Sequence, residues 1–158
     1  MKKSALILIG ALAAVAVGVF PAVTAAHEGP GDAVAIATAL KNPLLVKGNA
    51  SVTIVHLQKG CHSWSLGRGA PAPGVKVVLK RGQRLTILNQ DVDMHRLVRI
   101  AGPRLALGKA MATSDRRTLT FSTPGVYKLH THRVEMPGMA EVETGGPAHV
   151  LAMLVVVR

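Results

Sequence analysis

The sequence predicts a single all-β domain, a small sandwich or barrel, placed behind an N-terminal export signal. Two observations carry the β assignment. From Ala50 onward, short β-branched runs alternate with Gly- and Pro-containing turns, and no helical periodicity appears anywhere in that region. A third observation sets the size: once the signal is set aside, roughly 130 residues remain, enough for one hydrophobic core.

The signal comes first in the chain. Met1-Lys2-Lys3 is a charged start, residues 4–20 are apolar, and residues 21–26 are small. This is the pattern of a secretory peptide, with 1–26 removed by a cut after Ala25 or Ala26. The apolar run is long enough for an uncleaved anchor, but Val23, Ala25 and Ala26 fit a peptidase site better. The expected location is outside the cytoplasm, periplasmic or extracellular.

Residues 27–49 are expected to form a loop or a short helix, with Asp32 placed to cap a helix over 33–41 that Asn42-Pro43 would end. The sandwich is expected over 50–158. Its strand runs are 51–57, 61–66, 75–79, 85–89, 95–100, 117–122, 126–132 and 150–157. Turn chemistry joins them at Lys80-Arg81-Gly82, Gly102-Pro103 and Thr123-Pro124-Gly125.

The chain is basic, with 19 Lys and Arg against 8 Asp and Glu and a formal charge of +11. An exported protein meets little nucleic acid, so such a surface points to anionic lipid, polysaccharide or an acidic partner on the cell envelope, or simply to solubility. Hydrolytic chemistry has no support: there is no serine elbow, no carboxylate pair at a catalytic spacing and no phosphate loop. No catalytic residue is expected.

Residues 74–100, GVKVVLKRGQRLTILNQDVDMHRLVRI, are similar to the central part of a cupredoxin: a strand, a tight Gly turn, a strand ending in Asn and Asp, and a histidine opening the next strand. Thr123-Pro124-Gly125-Val126-Tyr127 resembles that family's approach to the strand bearing its cysteine, second histidine and methionine. The resemblance covers about the last hundred residues. It implies a cupredoxin-like Greek-key β-sandwich of about seven to eight strands, with copper as cofactor and electron transfer or copper handling as function. A redox or copper-accepting protein would then be the partner.

One position departs from the family. Four residues past Tyr127, where a plastocyanin-like protein carries its cysteine, stands Thr131. The only cysteine is Cys61, in Gly60-Cys61-His62-Ser63-Trp64, so no internal disulfide can form. A lone exported thiol is buried, metal-bound or reactive. A thiolate reaching copper from this other strand is one reading, a small buried hydrophobe the other.

The expected metal ligands are therefore Cys61, His95, His132 and Met136, with His62 and His130 as further candidates. His95 follows a polar loop and opens an apolar strand, which puts it at a sheet end. Met136 follows His132 by four residues, in a Pro-Gly loop, like the family's axial methionine. His130 and His132 share one strand face while Tyr127, Leu129 and Thr131 take the other, so a core role for the tyrosine and leucine turns both histidines outward. His62 is expected to face away from Cys61. Met94 and Met139 are spare thioethers, Met153 and Trp64 are expected in the core, and His56 and His149 are read as structural or surface residues. A cut after Ala26 would make His27 the mature N-terminus, where amine and ring together can chelate copper. The competing account is a cupredoxin scaffold without metal, acting as an envelope binding module.

Overall fold

The computed structural model describes residues 30–57, 61–134 and 150–158. The expected signal segment, His27, Met136, Met139 and His149 lie outside the described residues, as does the side chain of Cys61. Among the described residues, no helix is long and apolar enough to cross a membrane.

Among the described residues, one helix precedes the strands: α1 (Pro30–Ala39). Proline is at home in a helix's first turn because the amide hydrogen it lacks would have no intrahelical partner there. The helix ends before Asn42-Pro43, and its Ile36 and Ala39 bury against Ala152. Gly74 permits this docking: a Cβ at that position would lie 2.0 Å from the carbonyl oxygen of Ala39.

Nine strands follow among the described residues: β1 (Leu44–Lys47), β2 (Ala50–Leu57), β3 (Cys61–Ser65), β4 (Gly74–Leu79), β5 (Arg84–Gln90), β6 (Met94–Ala101), β7 (Arg116–Thr120), β8 (Gly125–Val134) and β9 (Leu151–Val157). The eight expected runs are all present. The addition is β1, which joins β4 in parallel within the stretch read as loop or helix. The chain forms two sheets, ordered β1-β4-β9-β8-β6 and β3-β2-β5-β7. Pairs β1/β4, β4/β9 and β2/β5 are parallel, and the rest are antiparallel.

Period-two alternation turns one face of each sheet inward. Val52 and Ile54 of β2, Leu85 and Ile87 of β5, and Tyr127 and Leu129 of β8 are buried in one shared core. Burial of each aliphatic side chain stabilises by about 1.5–3 kcal/mol. Trp64 is fully buried there, as expected of a core anchor, and its indole N–H donates to the carbonyl of Ala152 at 3.1 Å. The bond ties β3 of one sheet to β9 of the other.

The turn at 80–83 uses Gly82 at φ 82°, a left-handed conformation that costs glycine little. The Gly82 N–H donates to Phe121 O at 2.7 Å, and Arg81 Nε donates to Ser122 O at 2.9 Å. This turn and the one at Pro124-Gly125 therefore share one end of the sandwich. The opposite end collects the C-termini of β2, β5 and β8 with the N-termini of β3 and β6.

Candidate metal centre

Asn89 organises that opposite end. Its side-chain N–H group donates to the carbonyls of Asp93 and Met111, both at 2.9 Å, while its Oδ1 accepts the Asp91 N–H at 3.0 Å. Thr113 closes the loop by donating to Asp91 O at 2.8 Å. His95 is pinned by two backbone bonds with Met111, of 3.0 and 2.8 Å. The polar stretch between β5 and β6 is thus a fixed turn that aims Asp91 into the sandwich.

Three histidines surround the Asp91 carboxylate, which is wholly buried. His56 Nδ1 lies 3.2 Å from Oδ1, His95 Nε2 lies 3.3 Å from Oδ2, and His62 Nδ1 is hydrogen-bonded to Oδ2. Asp93 completes the group: its Oδ2 lies 3.7 Å from His62 Nε2 and 3.1 Å from Arg133 Nε of β8. The rings of His62 and His95 meet edge to face with centroids 5.1 Å apart, and those of His56 and His62 at 5.6 Å.

Burial alone would raise the Asp91 carboxyl's pKa. It is outweighed by the Asp93 N–H, by the hydrogen bond and charge of His62, and by the field of His95, which together hold the group at about 2, below its ordinary 3.8. His95 is pushed below its ordinary 6.5 because desolvation of the cation exceeds what the Asp91 charge returns. Neither ring nitrogen of His95 has a hydrogen bond of good geometry among the described residues, although the ring is 1% exposed.

The expected ligands fall in different places. His95 is central to the cluster, and His62 stands beside it. His62 faces inward because Trp64, two residues on, does: each lies opposite an inward residue of β2, His56 and Ile54. Cys61 opens β3 with its backbone paired to Leu57 at this same end. His130 and His132 lie on the other face of their sheet, their rings 4.5 Å apart at the centroids. His130 is nevertheless buried, opposite Ala152 on the face that α1 covers, whereas His132 is exposed. Met136 falls outside the described residues.

Thr131 does face inward, opposite Leu97 and two pairing steps from the His95 position. Its buried hydroxyl has no hydrogen-bond partner among the described residues. A hydroxyl there cannot supply the thiolate of a blue site. The donors gathered at this end are imidazole nitrogens and carboxylate oxygens, a set that suits copper(II), zinc and similar divalent ions.

Sequence reasoning missed His56, Asp91 and Asp93 as site residues. The inward phase of Trp64 was the available signal for His62 and, across the β2/β3 pair, for His56.

The two sheets agree with the all-β sandwich the resemblance implied. The fold is cupredoxin-like. No protein-family model matches the chain, and no curated protein matches it. Among solved structures it is similar to a purple cupredoxin from Nitrosopumilus maritimus, at 19% identity over 69% of this chain and 99% of that one, with a TM-score of 0.42. A multicopper oxidase aligns at 18% identity over 72% of this chain, with a TM-score of 0.42. The McoA multicopper oxidase of Aquifex aeolicus aligns at 15% identity over 76%, with a TM-score of 0.45. The chain spans 42% and 29% of those two oxidases.

Proposed function

We propose that this is an exported copper-binding protein of cupredoxin-like fold, acting in copper handling or electron transfer. One observation carries the reading: His95, at the position where the resemblance puts a copper ligand, is buried at one end of the sandwich with two further imidazoles beside it. Imidazole nitrogen is a favoured donor to copper. With Thr131 in the thiolate position, carriage of the ion is favoured over blue-copper electron transfer, and Cys61 is the remaining source of a thiolate. A copper-accepting or redox protein would be the partner, with the basic surface available to an anionic envelope.

The test is copper content and the visible spectrum of the purified mature chain after adding copper(II) and removing excess. One copper retained per chain supports the reading, and a chain that retains none rejects it.

The second reading is a metal-free binding module. It has its own observation: the lone pairs of Asp91 already meet His56, His62, His95 and the Asp93 N–H, so the cluster can stand as a structural network.

A further inference from the structure

The donor atoms at this end point to an ion class. One donor atom each from His56, His62, Asp91 and Asp93 lies within 4.8 Å of all the others. A tetrahedral zinc-sized ion with nitrogen and oxygen bonds of about 2.0–2.2 Å needs donors about 3.4 Å apart, so a contraction of up to about 1.4 Å between donors brings the four onto one centre. The four come from β2, β3 and the turn between β5 and β6, and that turn is fixed by Asn89 and Thr113.

Charge agrees with geometry. Two carboxylates with neutral imidazoles carry −2, which with the Arg133 guanidinium beside Asp93 leaves one net negative charge to attract a divalent cation into a pocket where burying charge is costly. Arg133 holds one oxygen of Asp93 at 3.1 Å, orienting the carboxylate as outer partners of metal ligands do. His95 is the second, independent sign of a ligand. It is 1% exposed, directed at Asp91 with Nε2 at 3.3 Å from Oδ2, and without a well-formed hydrogen bond among the described residues.

We infer that His56, His62, Asp91 and Asp93 form a thiolate-free site for a divalent cation of the zinc and copper(II) class, with His95 beside it as a fifth donor. The site takes its oxygen ligands from the turn after β5, so it disfavours copper(I), which prefers sulfur. This rests on the metal-binding part of the reading above and replaces the sulfur-based donor set with one of nitrogen and oxygen.

The experiment titrates the mature chain separately with zinc(II), copper(II) and copper(I), following binding by calorimetry and metal content, with circular dichroism and thermal melting as fold controls. One zinc(II) or copper(II) per chain is expected. Cys61→Ser should leave divalent affinity unchanged, and His56→Ala should lower it roughly tenfold or more. His56 is the exposed member of the four, so truncating it should leave the fold intact; Asp91→Asn should abolish binding but alters a buried group and is the secondary variant.

Divalent binding that survives both His56→Ala and Asp91→Asn overturns the inference. So does binding that only Cys61→Ser removes, an outcome that leaves the copper reading standing. Zinc(II) bound through His56 without retention of copper supports the inference and rejects the copper reading. No binding of any of the three ions overturns both.

Discussion

His95 Nε2 lies 3.3 Å from Asp91 Oδ2, four residues back along the chain and across the turn between β5 and β6. Both groups have folded-state pKa values below their ordinary ones, Asp91 at about 2 against 3.8 and His95 below 6.5. The sign is the same for each, because the unfolded chain binds the proton more readily. His95 contributes stability present above pH 6.5 that declines as pH falls below it. Asp91 contributes about 2 kcal/mol, present above pH 3.8 and lost as pH falls toward 2. Urea unfolding at pH 7, 5 and 3 should show a declining midpoint, and a flat profile would contradict the assignment.

Asp91→Asn removes the charge that three imidazoles face. Breaking one side of a buried ionic network typically costs about 3–5 kcal/mol, so the variant should be strongly destabilised. Its unfolding should also lose the steep acid limb. Wild-type stability at pH 7 would show that the carboxylate has no structural role.

Cys61→Ser separates the two sulfur readings. If the thiolate shares a copper ion, the wild-type chain with copper(II) should develop an intense visible charge-transfer band that the variant lacks. A colourless copper(II) complex with a thiol still titratable by a thiol reagent would place Cys61 off the metal.

Trp64→Phe retains a ring in the core and deletes the hydrogen bond to Ala152 O. Leaving that buried carbonyl without its partner should cost about 1–3 kcal/mol, and Trp64→Ala about 3–5 kcal/mol. Denaturant unfolding followed by circular dichroism measures both, and a Phe variant of unchanged midpoint would mean that the bond between the sheets is worth nothing net.

Gly74→Ala should displace α1. The added methyl would sit 2.0 Å from Ala39 O, so the helix end must move off β4. A loss of about 1–3 kcal/mol with increased protease sensitivity before Leu44 is expected, and intact protection there would refute the close approach.

The fold was legible because inward residues alternate with outward ones along β2, β5 and the first half of β8. Val52 and Ile54, Leu85 and Ile87, Tyr127 and Leu129 mark their strands without help from distant neighbours. β1 was not legible: Leu44–Lys47 is four residues long and is a strand only because β4 lies beside it in parallel. His95 could be placed from the loop before it. Asp91 and Asp93 fall in a stretch that reads only as a polar loop, since nothing local shows that Asn89 folds the turn inward. His56 reads as a structural or surface residue because its partner Asp91 is distant in sequence and comes near only through the parallel β2/β5 pair.

β9 follows every other described strand in sequence, yet it lies between β4 and β8. Until residues 151–157 are inserted, β4 and β8 each hold an open row of amide and carbonyl groups toward the gap. Such rows template pairing with other chains. The chain is therefore most exposed to edge-to-edge aggregation in the interval before its final segment docks. Its parallel pairings join distant segments, a topology that lengthens that interval toward milliseconds to seconds, on the order expected of non-local β proteins. Conditions that keep the late segment from docking should thus send this protein to aggregates before they send it to a soluble unfolded state.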